Sequence, residues 1–354
     1  MATGAVTIDT EDAKLARPYD PGWVNLLTAW IERLPGPTWG AYAVAMALGV
    51  ALAFSAALNA LATPSTTIAN AYYGLLPFAI LALIHSLDRT AGGALRALRA
   101  HLDMDDAEVA ETHHRLTVIP ATPTAILALV SFGALTPLGY VMDPVGSGIV
   151  DYAPATLVVR WFWESAVSTF FLVLIYHTVR QLRLIGRIHE RVREVDVFDQ
   201  GPLYAMSAVT SRTAIGLVIL ILPGLFLLPD NAELSFIVLT AAWYFGAVAI
   251  AGASFILPMW GVHERLAAEK RRLQGETGRR LSATLTAIHA AMDAGDGGAI
   301  EDRNRALAAL VTERDLVARI PTWPWSTGAL TGFVSAVLLP LALFLVQQVL
   351  SRLV

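Results

Sequence analysis

Two charged residues inside an apolar stretch are the clearest candidates for a functional site. Arg160 and Glu164 lie four residues apart in Arg-Trp-Phe-Trp-Glu, a spacing that allows an ion pair along one helix face. Charged side chains are costly in hydrocarbon and usually face a cavity or each other. One interpretation is a polar lining of an outer vestibule. The other is an interfacial pair beside the aromatic residues Trp161 and Trp163.

The last apolar stretch carries a row of hydroxyl side chains. Thr327, Thr331 and Ser335 fall four residues apart, and Pro340 and Gln347 lie further along. Such a row can line a water-filled path, and the proline predicts a bend because it removes a backbone donor. We therefore predict these five residues as a pore-lining set. Helix packing is the alternative, since small residues let helices approach closely.

Two further sites are read from residue type and position. Arg212, near the inner end of an apolar stretch, could line an anion path, bind a lipid phosphate or only mark the membrane interface. Trp323, Pro324 and Trp325 directly precede the last stretch. They predict either a coupling junction that transmits movement into that stretch or a plain anchor at the membrane surface.

Other chemistry finds little support in the sequence. The chain has no cysteine, which excludes disulfides and thiolate sites. No phosphate-binding glycine loop or nucleophile elbow occurs, and the histidines do not have the spacing of a helical metal site. His85 and His177 lie near the inner ends of two apolar stretches, a weak pattern for haem. We expect no enzyme activity, cofactor, metal or nucleic-acid partner.

These side chains must be positioned by membrane-spanning helices. Of the 354 residues, 55% are hydrophobic and 15% are charged, against about 25% charged in soluble domains. Apolar stretches of about 20 residues are long enough to cross a bilayer as helices. We therefore predict an all-α polytopic integral membrane protein with seven transmembrane helices. The predicted spans are 39–62, 68–87, 119–141, 156–179, 208–228, 234–259 and 328–349.

Charge alternates between the gaps that separate these spans. The gaps 63–67, 142–155 and 229–233 contain no lysine or arginine, whereas the other gaps are rich in arginine. Because positive charge stays cytoplasmic, we predict a cytoplasmic N-terminus and an extracytoplasmic C-terminus in a cell inner or plasma membrane. Residues 1–20 lack the order of a cleaved signal peptide, so we expect the first span to be retained. The arginine-rich, alanine-rich composition suggests a bacterial source.

The long basic segments predict helices outside the membrane. Near-heptad leucines before and after Asp293-Ala-Gly-Asp-Gly-Gly predict a coiled-coil-like helical hairpin. The predicted organisation begins with a cytoplasmic N-terminus that contains an interfacial amphipathic helix (1–38). Spans one to six follow (39–259), with cytoplasmic helical segments at 88–118 and 180–207. The cytoplasmic hairpin (260–325) and span seven (326–354) complete the chain order.

The predicted topology resembles that of the insect odorant and gustatory receptor channels. Those proteins have seven spans, an inside N-terminus, cytoplasmic helices that hold a tetramer together, and a pore lined by the last helix. The resemblance concerns the order of elements and implies a homo-oligomeric channel or channel-like receptor for ions or a small ligand. The alternative is a non-transporting sensor or scaffold that uses its cytoplasmic helices to bind partners. An enzyme that acts on lipid is a third class.

Overall fold

The computed structural model describes residues 18–57, 64–142, 154–193, 201–221, 223–224 and 234–353. Across these ranges the chain is built from helices, with no β-strand element. The α-helices in chain order are α1 (Trp23–Glu32), α2 (Thr38–Ala57), α3 (Pro64–Leu98), α4 (Asp106–Thr117), α5 (Ala121–Val130), α6 (Thr136–Met142), α7 (Pro154–Glu190), α8 (Gly201–Ile221), α9 (Leu234–Ile256), α10 (Trp260–Asp293), α11 (Gly297–Arg319) and α12 (Thr327–Leu353). A π-helical segment, Ser131–Leu135, joins α5 to α6.

Six helical stretches of the described chain are long and apolar enough to cross a membrane. They are Ala71–His101, Ala121–Met142, Leu157–Glu190, Tyr204–Ile221, Phe245–Asp293 and Thr327–Phe344. A shorter apolar helix, Thr38–Phe54, covers most of the first predicted span, and residues 58–63 at its end lie outside the described ranges. The fold is thus all-α with multiple membrane-spanning helices, and the seventh crossing stays a prediction.

Two predicted span boundaries differ from the helices. The second predicted span ends at residue 87, but α3 continues to Leu98 because Ala91 and Leu95 extend its buried face past the charged residues. The first part of segment 88–118 is therefore the end of a long helix. The fifth predicted span begins at 208, whereas α8 begins at Gly201, since Met206 packs in a buried cluster outside the predicted span.

Helices α2 and α3 touch through their backbones at one pair of glycines. A Cβ placed on Gly49 would overlap the Gly74 carbonyl oxygen, and one on Gly74 would lie 2.6 Å from the Gly49 carbonyl oxygen. Only residues without a side chain allow this approach. One turn further along α3, Pro77 cannot donate to the Tyr73 carbonyl. That oxygen accepts a hydrogen bond from Trp163 Nε1 of α7 at 3.1 Å.

The buried side chains form two clusters stacked along the bundle. The first lies among the apolar parts of the spanning helices and includes Ile80, Leu174 and Phe255. The second joins the ends of α3 and α7 to the start of α8 and the base of α10, through Leu98 and Ile188 among others. We call the side of the second cluster the hairpin end. There α2, α5, α8 and α12 begin, and α3, α7 and α9 end.

Helices α10 and α11 form an antiparallel hairpin. Arg303 donates to the Ala287 carbonyl at 2.8 Å near the tip, and Thr277 donates to Glu313 at 2.8 Å further down. The turn uses Gly295 at φ +70, a conformation that glycine adopts without strain. Helices α10 and α11 are thus two packed helices that lead directly towards α12, and the cytoplasmic placement and coiled-coil character of this hairpin stay predictions.

The N-terminal segment is tied to the hairpin end by hydrogen bonds to residues before α5. Asn25 of α1 accepts from the Ile119 amide at 2.8 Å, and Arg180 of α7 donates to the Val118 carbonyl at 2.8 Å. Arg180 also donates to the Tyr19 hydroxyl. Burial raises the pKa of the Tyr19 phenol, and the charge of Arg180 opposes that rise. Helix α1, predicted to lie at the membrane interface, exposes Leu26, Leu27 and Trp30.

Candidate functional site

The predicted hydroxyl row lies on the outside of the helix bundle. Helix α12 starts after Ser326, whose Oγ accepts from the Ala329 amide at 3.2 Å and so caps the helix. Thr327, Thr331 and Ser335 are all exposed on the opposite side from Phe333, which packs against the core. The three hydroxyl groups therefore share one outward face of a helix at the edge of the bundle.

The other two residues of the predicted pore-lining set, Pro340 and Gln347, lie further along α12. Pro340 is half-buried, and α12 continues through it without a break in the helix. Gln347 belongs to α12, but its side chain lies outside the part of the chain that the structure describes. Gly332 turns towards α8, where an added Cβ would make an ordinary 3.4 Å contact with Ile215. Thus α12 has a packed inner face and a polar outer face at the hairpin end.

Trp323 and Trp325 belong to a column of five stacked rings. The order is Phe333, Phe255, Trp325, Trp323 and His263, with successive centroids 4.8, 4.4, 4.5 and 3.9 Å apart. The ring planes deviate from parallel by 8–17°. These separations are in or near the range in which aromatic pairs attract beyond simple burial. The column connects α10 at the hairpin base to α9 and α12.

The predicted junction is also fixed by hydrogen bonds and burial. His263 Nδ1 lies 3.0 Å from the Thr322 carbonyl oxygen, and Pro324 is buried. Lys270 donates to the Ala318 and Ile320 carbonyls at 2.8 Å each, which holds the end of α11 against α10. A displacement of the hairpin base would therefore move rings that touch α12.

The charged pair of α7 lies far from this junction. Arg160 Nε donates to Glu164 Oε1 at 2.7 Å, and each side chain is about one-third exposed. The pair sits near the start of α7, at the end of the bundle opposite the hairpin. Its neighbour Trp161 packs edge-on against Phe132 of the π-helical segment, with centroids 5.4 Å apart. The geometry brings Arg160 and Glu164 to each other but not to the hydroxyl row.

The sequence did not indicate a buried histidine bridge between α1, α2 and α3. His85 lies with Nδ1 2.9 Å from the Tyr42 hydroxyl and Nε2 2.9 Å from Glu32 Oε1. His85 and Tyr42 are buried, whereas the Glu32 side chain is about half exposed. This arrangement uses both ring nitrogens of His85 for hydrogen bonds within the protein.

A second histidine pair joins α3 to α7. His177 Nε2 lies 2.7 Å from Asp88 Oδ1, and both residues are buried. Asp88 follows His85 by one helical turn, so both pairs lie along one side of α3 near the hairpin end. Buried groups of this kind hold a unique helix register when every partner is present. The only sequence signal was a histidine in each span, because the partners are 53 and 89 residues away.

Arg212 lies in a polar setting beside α3. Its Nη1 donates to Thr90 Oγ1 at 2.5 Å, and Arg89 is the residue before Thr90 on α3. The described residues therefore contain two separate features with functional potential at the hairpin end. One is the outward hydroxyl row of α12, and the other is the arginine-containing surface between α2, α3 and α8.

Comparison with known proteins adds no function to this geometry. No protein-family model, curated protein or solved structure matches the chain. The functional proposal therefore rests on the arrangement of the residues described above.

Proposed function

We propose that the protein is a homo-oligomeric membrane channel, or a channel-like receptor, with a path bordered by α12. The observation that carries the proposal is the outward position of Thr327, Thr331 and Ser335 on a helix at the edge of the subunit. Phe333 and Val337 attach the other side of α12 to the bundle. Hydroxyl groups on that outer face would face water if copies of α12 surrounded a central axis.

The apolar part of the same outer face fits a constriction. Beyond Ser335 the exposed residues include Leu338, Leu339 and Leu343, which are 59%, 61% and 53% exposed. In the proposed assembly the path is polar near the hairpin end and apolar further along. Hydrophobic constrictions gate pores by excluding water. The permeating species would be an ion or a small ligand.

The hairpin would hold the subunits together. Leu285 and Met292 lie seven residues apart on α10 and are 43% and 61% exposed. Apolar residues at this spacing form the seam between paired helices. The ring column from His263 to Phe333 would connect this contact to α12. We place the protein in a cell inner or plasma membrane, with the N-terminus and hairpin in the cytoplasm and the C-terminus outside.

Cysteine accessibility during ion flux tests the proposal. The natural chain contains no cysteine, so each introduced thiol reports one position. We expect Thr331→Cys and Ser335→Cys to react with a membrane-impermeant methanethiosulfonate in proteoliposomes and to change flux. Ile250→Cys on α9 is the matched control, since Ile250 is 64% exposed on another apolar helix. The thiol at position 250 should be protected from the reagent by lipid.

Particle mass gives an independent measurement. The purified protein should be a closed oligomer, and Leu285→Glu together with Met292→Glu should lower its mass to that of smaller species. A strict monomer would rule out the channel. Equal reactivity of the cysteines at 335 and 250 would place the hydroxyl row in lipid and contradict the proposed lining.

A non-transporting sensor or scaffold is the second candidate. The exposed Leu285 and Met292 favour it as well, because they could contact another protein rather than a second copy. This function predicts no flux, unreactive cysteines at 331 and 335, and an oligomeric state that does not depend on the hairpin substitutions.

A further inference from the structure

A cavity of about 580 Å³ lies between α2 and α3 at the hairpin end, and the edge of α8 closes one side of it. Its polar lining includes Tyr42 of α2, His85 and Thr90 of α3, and the two arginines Arg89 and Arg212. Its volume is within the range of pockets that hold small molecules. The cavity is separate from the outward face of α12 and does not depend on the proposed channel function.

The charge of the lining is one-sided. Arg89 and Arg212 contribute two positive charges, and none of the eleven lining residues is a carboxylate. Within the described ranges neither arginine forms an ion pair with a carboxylate. Two acids on neighbouring helices have histidine partners, since Glu32 bonds to His85 and Asp88 bonds to His177. The lining is therefore complementary to an anion.

The two arginines suit a tetrahedral oxyanion. The bond to Thr90 Oγ1 occupies one guanidinium nitrogen of Arg212 and holds that group on the cavity lining that also includes Arg89. The remaining N–H donors of the two guanidinium groups can bind separate oxygens of one phosphate, and arginine is well suited to this because its donors form a rigid fork. Hydroxyl groups of Tyr42 and Ser86 line the same space.

The remaining wall is apolar and runs along α2. Trp39, Ala43 and Met46 lie on this wall, together with Ala82 of α3. From Trp39 to Met46 the wall is seven residues long, or about 10 Å, which is long enough to contact several methylene groups of an acyl chain. Trp39 is 74% exposed, and tryptophan favours the headgroup level of a bilayer. An inorganic phosphate ion would make no use of this wall.

We propose that this cavity binds the phosphate headgroup of an anionic lipid. Arg89 and Arg212 bind the phosphate oxygens, and Thr90 is a positioning residue that orients Arg212. The first carbons of the acyl chains lie along Ala43 and Met46. The ligand chemistry is a phosphate ester on an apolar tail, and the bilayer is its source.

Titration of the purified full-length protein with dihexanoyl phosphatidic acid tests this proposal. Ligand that binds only the folded protein raises its thermal midpoint in a concentration-dependent way. We expect Arg89→Gln and Arg212→Gln each to weaken apparent binding about tenfold, as for loss of a charge-assisted hydrogen bond. Arg183→Gln is the matched control, because Arg183 is exposed on α7 at the same end and outside the cavity. Thr90→Val should weaken binding less than either arginine substitution.

The source of the phosphate is decided by two further ligands. Dihexanoyl phosphatidylcholine should bind much more weakly, because its headgroup has no net charge. Inorganic phosphate at the same concentration should not raise the thermal midpoint. Ala43→Phe should weaken the binding of phosphatidic acid, because the larger side chain fills the space along the apolar wall. Equal stabilisation by inorganic phosphate would overturn the lipid assignment. If Arg183→Gln and Arg212→Gln weaken the binding of phosphatidic acid equally, the lipid interacts with general surface charge, and the proposed site is wrong.

Discussion

The backbone contact between Gly49 and Gly74 makes a quantitative prediction about packing. In Gly74→Ala the new Cβ would lie 2.6 Å from the Gly49 carbonyl oxygen and 2.9 Å from Ala53 Cβ. Ordinary contact begins at 3.4 Å, so α2 and α3 must separate by 0.8 Å at this point. In Gly49→Ala the new Cβ would lie closer still to the Gly74 carbonyl oxygen, so the required separation is larger.

These shifts set the expected free-energy change. Overpacking in a close-packed interior costs about 1–3 kcal/mol, because neither backbone can move aside as a side chain would. Alanine in place of glycine offsets up to about 1 kcal/mol through its higher helix propensity. We expect Gly74→Ala to destabilise the protein by about 1–2 kcal/mol. Gly49→Ala should cost more, because its required shift is larger.

Unfolding in mixed micelles, followed by tryptophan fluorescence as sodium dodecyl sulfate is raised, measures this free energy. The matched control is Gly246→Ala on α9, where an added Cβ meets nothing within 4 Å. It should be neutral or slightly stabilising. If all three variants unfold at the same detergent fraction, the helices do not cross through these glycines, and the argument from contact distance is wrong.

Three other predictions concern side-chain contacts. Burial lowers the pKa of His113 from its ordinary 6.5, so the folded state disfavours its protonated form, and thermal stability should fall as pH drops below about 6.5 by more than in His113→Gln. A double-mutant cycle of Phe255→Leu and Trp325→Leu should show about 0.5–1.5 kcal/mol of coupling in detergent unfolding, and additive costs would contradict the stacked column. Asp88→Ala should cost about 1–3 kcal/mol because it leaves the buried Nε2 of His177 without its partner, whereas Asp88→Leu combined with His177→Leu should recover most of that loss.

The order of the helices could be predicted from hydropathy and turn signals, because both are local. Close contacts between helices follow no local signal of this kind, as at Gly49 of the first apolar stretch, which packs against Gly74 of α3. The hairpin turn at Gly295 could also be predicted from the sequence, because glycines and aspartates interrupt a helical pattern there. Helix ends were less predictable. Asp88 and Arg89 resemble loop charges, yet α3 continues because later residues bury one of its faces.

The polar contacts between helices could not be predicted from one sequence. His85 meets Glu32 and Tyr42 only because α1 folds back beside α2 and α3. The spacing of a histidine along its own helix contains no information about a partner on another helix. The Arg160–Glu164 pair was predictable for the opposite reason, since both residues lie on one helix four positions apart.

Helix α8 physically links the proposed lipid site to the proposed path. Arg212 lies in the cavity, and Ile215, one helical turn later, faces Gly332 of α12. A helix transmits displacement along its axis as a stiff unit, whereas side chains on loops would absorb it. A lipid phosphate would move α12 only if it bound Arg212 with different affinity in two positions of α8. Gly332→Ala would bring a Cβ to 3.4 Å from Ile215 Cδ1, a tolerable contact that tightens this link. If the two sites are coupled, Gly332→Ala should change the effect of phosphatidic acid on flux. The same substitution should leave the binding of phosphatidic acid unchanged in the thermal titration.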